Sequence, residues 1–497
     1  MENCICCVKQ KQNIYQKICA YASTNLYFFY CILGLLLAGC CFMPGFAYAT
    51  IAYLFVLAIF LSIEQIMGLA VFLYLFIIPF RGLANGLDLE YLPIGILCCV
   101  SGIKTIVNLV IAKKWPNLLL VGALVLFLIY IALPVHKTDI SFFSKYLIGA
   151  GLVFTVYHNR KEISFEKLVI YFCVGIIFSC MLATLKPISP RLQDLMIEYN
   201  APNITARFQG FRQHPNNLAI RCEFALVCLF VVKLRDKIKT PEFLYLFFGV
   251  LAYGLLTFSR NFIFASLISI PLFLILYGIR YKVKSLPVVI TIVVLIAACL
   301  LVPYKQTKEY MSRMFQAFND MEYKESIIRK GDPRYSDKWW QQVMNGEVRY
   351  DPGRKEIARN YINDWKSSTT TILFGRGSAT KRIGKLHAHN MWIQELWFHG
   401  IFGYVLYAAI VCAMINYKKL KQIKLSHILS ICLFLLPMTF MSLLEPLTLD
   451  FSFYIIAIVF FSELANEQKN HINGSKECFC FNNTQKSNII KDNKKEA

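Results

Sequence analysis

The sequence predicts an all-α polytopic membrane protein with about 12–14 transmembrane helices. Hydrophobic residues make up 57% of the 497 residues and charged residues only 16%, with a mean hydropathy of +0.50. The apolar residues come in blocks of about 17–22, which is enough to cross a hydrocarbon core of about 30 Å. A soluble domain of this length would need far more polar surface. A membrane barrel would instead show short alternating strands.

The expected spans follow from these blocks in chain order. In the first half of the chain they are 27–45, 47–62, 65–80, 91–111, 117–134, 141–157 and 168–184. In the second half they are 218–233, 242–258, 261–279, 286–303, 390–414, 426–442 and 448–463. The early spans are short, so the pattern leaves open whether some of them merge or are re-entrant.

The basic residues predict the orientation, because connections rich in Lys and Arg stay on the cytoplasmic side. Five connections carry such clusters: Lys113 and Lys114; Arg160, Lys161 and Lys167; Lys233, Arg235, Lys237 and Lys239; Arg280, Lys282 and Lys284; and Lys418, Lys419, Lys421 and Lys424. With both termini cytoplasmic, all five lie on one side of the membrane. The loops 185–217 and 304–389 then lie on the other side.

These features divide the chain into five segments. They are a cytoplasmic N-terminus at 1–26, transmembrane helices over 27–303 with the outer loop 185–217, a large outer loop at 304–389, C-terminal transmembrane helices over 390–463, and a cytoplasmic tail at 464–497. The first span is expected to be a retained signal anchor, and the tail is expected to be disordered. Within the large loop, helices are predicted near 306–328 and from Asp351 to about Ser367.

The net charge of +22 does not indicate a nucleic-acid partner. The cytoplasmic connections and the Lys-rich tail explain much of it, and no stripe of aromatic and basic residues favours base stacking. The orientation rule does not require arginines on the outer side, so those are the informative ones: Arg207, Arg212, Arg260 and Arg354. None of the 18 cysteines lies in either outer loop, which excludes a disulfide framework there.

His389 is the leading candidate for chemistry. It lies where the large outer loop meets an apolar span, and its imidazole is suited to act as a general base toward a hydroxyl group. Two other interpretations stay open. His389 is a polar anchor at the membrane interface, or it forms half of a metal site with His387. A metal site needs further ligands, and Asp and Glu are sparse beside this segment.

Arg260 is the leading candidate for binding an anion. It lies in a short break between two apolar runs, and irregular backbone at membrane depth is tolerated where it lines a cavity. Its guanidinium group offers planar, bidentate donors to phosphate oxygens. The alternative is a cation that reaches the headgroup level.

The other candidates are weaker on residue chemistry alone. Arg354 begins the predicted loop helix, where neighbouring Lys355 and Arg359 are equally basic. Arg212 and His214 precede the entry to the next span, where a polar cap is the alternative to a binding role. The segment 375–377, Gly-Arg-Gly, favours a simple turn over a loop that cradles phosphate.

Together these segments resemble the O-antigen ligase and polymerase superfamily of bacterial inner membranes. Its ligases carry the signature His-[Asn/Ser/Gln]-x9-Gly-x-x-Gly. The chain matches that signature in full at His389, Asn390, Gly400 and Gly403.

The resemblance extends over about 200–403. The superfamily has a Ser-Arg break between two spans, matched by Ser259 and Arg260, and a Gly-x-Phe-x-x-Pro-Asn-like stretch before a span, approximated by 210–216. It also has an Arg-led loop helix ending in a Phe/Leu-Gly-x-Gly turn, matched by Arg354 and 374–377. The loop helix departs from the family at Ala358, where Trp is frequent, so the match at Arg354 is the softer one.

The resemblance implies a GT-C-like fold and an inverting glycosyltransferase that needs no metal and no other cofactor. The donor would be an O-antigen polysaccharide on undecaprenyl diphosphate. The acceptor would be a hydroxyl group of lipid A–core oligosaccharide, and both would enter from the surrounding membrane lipids. The reaction would take place at the periplasmic face of the bacterial inner membrane.

The resemblance also implies roles for individual residues. His389 would act as the base, and Arg260, Arg354 and Arg212 would hold the diphosphate. The supporting residues would be Arg207, His214, Asn216, His387 and Asn390.

Three alternatives remain at this point. An O-antigen polymerase of the same superfamily uses the same donor with another lipid-linked glycan as acceptor, and the full signature favours the ligase. A protein O-glycosyltransferase is a third member of the group. A transporter of lipid-linked glycans predicts ionisable residues deep in the spans, for which Lys104, Lys145 and Glu395 are candidates.

Overall fold

The computed structural model describes residues 26–80, 89–133, 140–185, 188–189, 208–211, 215–257, 259–281, 354–377, 388, 390–414, 425–444 and 452–463. In these ranges every regular element is a helix. Several residues in them, Arg260 and Arg354 among these, are described by their backbone alone.

The described residues contain fifteen α-helices, numbered in chain order. They are α1 Leu26–Cys40, α2 Pro44–Phe60, α3 Ile63–Leu73, α4 Leu92–Ile111, α5 Leu118–Ala132, α6 Ile140–Asn159, α7 Phe165–Ala183, α8 Pro215–Leu234, α9 Thr240–Leu256, α10 Arg260–Tyr281, α11 Arg354–Trp365, α12 Thr369–Phe374, α13 Met391–Met414, α14 Leu425–Leu444 and α15 Ser452–Glu463. Short 3₁₀ turns at Tyr74–Phe76, Ile78–Phe80 and Leu89–Tyr91 connect α3 to α4.

Thirteen of the fourteen predicted spans coincide with one of these helices. Four of the described helices, α4, α7, α10 and α13, are long and apolar enough to cross a membrane by themselves. The fourteenth predicted span, 286–303, and the predicted loop helix at 306–328 lie outside the described residues. The second predicted loop helix is α11, which ends at Trp365, slightly earlier than expected. It ends there because Ser368 caps the following helix, accepting a hydrogen bond from the Thr371 N–H at 3.1 Å.

Local sequence signals explain where several helices begin. Ser62 and Gln65 form a reciprocal capping box at the start of α3. Asn117 accepts hydrogen bonds from two backbone N–H groups at the start of α5, and Ser164 caps α7 in the same way. Proline in the first turn begins α2, α4 and α9, where its missing N–H is not needed.

Helix α8 lies at the centre of the bundle. It packs against α7, α9, α10 and α14, and almost every residue from Pro215 to Leu234 is buried. An apolar helix in a membrane can face lipid or other helices, and the burial of α8 shows that it faces other helices. Polar residues on α8 are therefore held in the protein interior, where they require partners.

One end of the bundle collects the basic connections and is called here the basic end. Three ion pairs between described residues lie there: Lys167–Glu64, Arg235–Glu463 and Arg280–Asp236. At the same end, the backbone N–H of Asn117 donates to His158 Nε2 at 3.1 Å, and its side chain donates to the Ala413 carbonyl oxygen. Each of the five basic connections predicted to share one side therefore has a flanking residue at this end of the bundle. The segment 415–424, which contains the fifth connection, lies outside the described residues.

Candidate functional site

The opposite end of the bundle carries the family-like motifs and is called here the motif end. Ser259 donates a hydrogen bond from Oγ to Asn216 Oδ1 at 3.2 Å, between the starts of α10 and α8. Trp392 donates from Nε1 to Ser442 Oγ at 3.1 Å, between the start of α13 and the end of α14. Because α14 also packs on α8 and α10, the starts of all three motif-bearing helices lie at this end.

Asn390 has a structural role in the signature segment. Its side-chain oxygen accepts a hydrogen bond from the Ile393 N–H at 3.1 Å, and its carbonyl accepts from the Gln394 N–H at 3.0 Å. This is an N-cap, which explains why a short polar side chain follows the histidine. His389 itself lies outside the described residues. On its other side, Ala388 is buried in one apolar cluster with residues of α11 and α13.

Gly400 forms a kink inside α13. Its φ of 58° and ψ of −167° are not helical, and this left-handed region is one that glycine adopts without a steric penalty. A Cβ atom at this position would overlap the backbone of Leu373 and Gly375. The first glycine of the signature thus lets the 373–375 backbone approach α13 closely.

Gly403 makes room for a side chain one turn earlier on α13. A Cβ atom at Gly403 would overlap the Cβ of His399, and Tyr130 lies at 3.5 Å. The kink also frees the His399 carbonyl, which accepts a hydrogen bond from the Tyr130 hydroxyl at 2.6 Å. Both signature glycines therefore serve the packing of α13 against α5 and the 354–377 segment.

The turn at 375–377 is bound to the kink of α13. The N–H groups of Arg376 and Gly377 donate to the carbonyl oxygens of Trp397 and Phe398 at 2.7 and 3.0 Å. Gly375 and Gly377 both have positive φ, 77° and 79°. Because these N–H groups are already bonded, they cannot cradle a phosphate, in agreement with the prediction of a simple turn.

Asp364 ties α11, this turn and α13 together. Its carboxylate accepts hydrogen bonds from Arg376 Nε and Nη2 at 2.9 and 2.8 Å and from Trp397 Nε1 at 2.7 Å. Tyr361 packs edge-on against Trp397 with ring centroids 5.0 Å apart. Helix α11, which begins at Arg354, is thus packed on α13 just beyond the segment that contains His389.

A buried polar cluster on α13 was missed by the sequence reasoning. The Tyr146 hydroxyl lies 2.7 Å from His399 Nε2, and Glu395 Oε2 lies 3.5 Å from the same nitrogen. The Tyr407 hydroxyl donates to Glu395 at 3.4 Å. Glu395 and His399 stand four residues apart on one helix face. That spacing was the only signal in the sequence, since Tyr146 comes from α6, far away in the chain.

The intramembrane charges considered for transport lie in separate places. Lys104 donates to the carbonyl oxygens of Ala58 and Leu61 at the end of α2. Lys145 lies 4.8 Å from the ring centroid of Tyr91.

The remaining predicted site residues fall outside the described part of the chain. They are Arg207, Arg212, His214, His387 and His389. Arg260 and Arg354 are placed by their backbones, as the first residues of α10 and α11. The convergence of the arginine and histidine side chains therefore stays a prediction.

Among the described residues, Asn216 and Ser259 lie beside the start of α10, and the α11–α13 junction lies beside Ala388. In comparisons with known proteins, the chain matches no family model and no curated protein.

Proposed function

We propose that this chain is an O-antigen ligase-type glycosyltransferase of the bacterial inner membrane. Its donor is a polysaccharide on undecaprenyl diphosphate, and its acceptor is a hydroxyl group of lipid A–core oligosaccharide. The proposal includes about 12–14 membrane spans in a GT-C-like arrangement, with both termini and the basic end in the cytoplasm. The motif end then faces the periplasm, where both lipid-linked substrates are present.

The observation that carries the proposal is the full signature at His389, Asn390, Gly400 and Gly403. Asn390 caps α13, Gly400 and Gly403 permit close packing, and His389 is the one position left for chemistry. The structural roles of the other three signature positions support this reading of His389. The contact between Asn216 and Ser259 adds support, because it joins two further motifs that are far apart in sequence.

The reaction follows from these roles. His389 takes the proton from the acceptor hydroxyl group, and the oxygen attacks the anomeric carbon of the donor. The bond from that carbon to the diphosphate breaks on the opposite face, so the configuration inverts and undecaprenyl diphosphate leaves. Arg260, Arg354 and Arg212 stabilise the charge that grows on the leaving group. Hydrolysis of ATP is not needed, because the diphosphate is already activated.

A deletion strain provides the first test. We expect its lipopolysaccharide to lack polysaccharide chains, while long polymer accumulates on undecaprenyl diphosphate. Lipopolysaccharide gels and mass spectrometry of the lipid-linked pool measure both. Accumulation of single repeat units would instead identify a polymerase, and unchanged lipopolysaccharide would contradict both readings.

The role of His389 is tested in the purified protein. We expect His389→Ala to lose transfer by a factor on the order of 10²–10⁴, the usual contribution of a general base. His471→Ala, in the predicted tail, is the matched control and should transfer normally. Full activity of the parent protein after treatment with a chelator would show that His389 acts as a base and not as a metal ligand. Transfer by purified parent protein in detergent would exclude pure transport, and normal transfer by His389→Ala would refute the base.

A further inference from the structure

Helices α8 and α10 run in the same direction and meet along a regular seam. Three pairs of residues, one heptad apart, define it: Asn216–Ser259, Glu223–Ser266 and Phe230–Phe273. In every pair the two residues are 43 positions apart. A constant offset at seven-residue spacing is typical of two parallel helices packed in one register. The rings of Phe230 and Phe273 stack with centroids 4.4 Å apart. This contact fixes the part of the seam nearer the basic end.

Glu223 is the unusual member of this seam. Its side chain is fully buried near the middle of the central helix α8. Ser266 Oγ donates to Glu223 Oε2 at 2.7 Å, and Ser269 on the next turn of α10 faces the same carboxyl group. In the described part of the chain, no basic side chain pairs with Glu223.

Glu223 Oε1 and Ser269 Oγ are both inaccessible to solvent, and neither makes a well-formed hydrogen bond with a described residue, although the Ser269 hydroxyl lies close enough to interact with the carboxyl group. An unpaired carboxylate buried in a membrane bundle costs several kcal/mol. One proton on Oε1 would remove that charge. The resulting O–H group would donate to Ser269 Oγ and satisfy both atoms together.

We propose that Glu223 is a proton-binding site, held as a neutral carboxylic acid that accepts from Ser266 and donates to Ser269. This group links α8 to α10 by two hydrogen bonds and fixes their register. A buried polar group in an apolar seam specifies one register, because a slip by one turn would leave it unpaired. The proton stays bound during function and is not exchanged.

The register of α8 against α10 sets how the starts of these two helices are placed relative to each other along the bundle at the motif end. Asn216 and Ser259 lie one heptad above Glu223 and Ser266, and Arg260 follows Ser259 directly. Glu223 is therefore a positioning residue for Arg260, and this consequence alone rests on the proposed function. The protonation state of Glu223 can be tested without it.

The direct test is infrared difference spectroscopy between the parent protein and Glu223→Gln in detergent or nanodiscs at neutral pH. We expect the parent to show the C=O stretching band of a buried carboxylic acid, which is absent from the variant. A carboxylate signal for Glu223 instead would overturn the proposal. This measurement does not require transfer activity, so it remains decisive if the ligase proposal fails.

Two substitutions separate a fixed proton from an exchanging one. Glu223→Gln keeps an acceptor for Ser266 and a donor for Ser269, so thermal stability and transfer should match the parent. Glu223→Ala leaves both serines unpaired, so its melting midpoint should fall. Its transfer should fall about tenfold, equivalent to about 1.4 kcal/mol of misplacement. A folded Glu223→Gln protein without transfer would refute the fixed proton.

A monovalent metal ion is the competing ligand for the same oxygens. Thermal melts of the parent and Glu223→Gln in sodium, potassium and choline chloride test it. We expect equal midpoints in the three salts for both proteins. Stabilisation of the parent alone by sodium would show that the carboxyl group is charged and binds the ion, which would overturn the proposal.

Discussion

Three of the four signature residues contribute to structure in ways that the backbone makes visible. Asn390 caps α13, Gly400 adopts a left-handed conformation, and Gly403 leaves space for His399. The positions of greatest family likeness are therefore mainly those that set the course of α13. The histidine that precedes them gains its proposed role from being held at the start of this helix.

Gly400→Ala tests this interpretation. A φ of 58° with a ψ of −167° is a conformation almost confined to glycine, and it costs another residue about 1–3 kcal/mol; overlap with the 373–375 backbone adds about 1–3 kcal/mol. We therefore expect stability to fall by about 2–6 kcal/mol, read as a lower melting midpoint in detergent. Gly122→Ala on α5 is the matched control, since a Cβ there meets nothing within 4 Å. Equal midpoints for the two variants would rule out close approach at Gly400.

The sequence could identify the signature but not the cluster beside it. Glu395 and His399 share a helix face, which a periodicity argument can find. Their partner Tyr146 lies 253 positions from His399. No single sequence pattern predicts which tyrosine on which helix will face them, because that choice depends on how α6 and α13 pack.

At the scale of elements, hydropathy predicted the helices well because the bilayer leaves few alternatives. In lipid, every backbone N–H and C=O group must be bonded within its segment, so an apolar run of sufficient length becomes a helix. The loop helix predicted from Asp351 was found as α11, and its residues Ile357 and Tyr361 are buried. Its partner was not predicted: α11 packs on α13.

Asp364→Ala tests the attachment of α11 to α13. It removes the acceptor for Trp397 and for both nitrogens of Arg376. Loss of these bonds should cost about 1–3 kcal/mol and expose 354–377 to protease, followed as the rate of cleavage in the folded protein. Arg359→Ala, an exposed residue on the same helix, should be cut at the parent rate. Equal cleavage of both variants would mean that Asp364 does not hold α11 in place.

At the scale of the whole molecule, the two ends of the bundle differ in character. The ion pairs at the basic end join residues near the ends of different helices, whereas the motif end is held by hydrogen bonds and aromatic contacts together with the Asp364–Arg376 ion pair. Hydropathy alone does not predict which helix ends lie at the same end of the bundle. The distribution of Lys and Arg does predict this, because connections rich in these residues stay on one side of the membrane.

Reporter fusions test the orientation that follows. Positions 163, 237 and 283 lie in the predicted cytoplasmic connections. We expect that, at these positions, a reporter that works only in the cytoplasm will be active and a reporter that works only in the periplasm will be inactive. Positions 187 and 353 lie in the two predicted outer loops. There we expect the opposite result, with only the periplasmic reporter active. The reason is that the connections at 113–114, 160–167, 233–239 and 280–284 each carry two or more basic residues, and moving them across the membrane together is opposed. A periplasmic signal at 237 would place the motif end in the cytoplasm, away from a flipped donor. The ligase proposal would then fail even if His389 and Arg260 proved close in space.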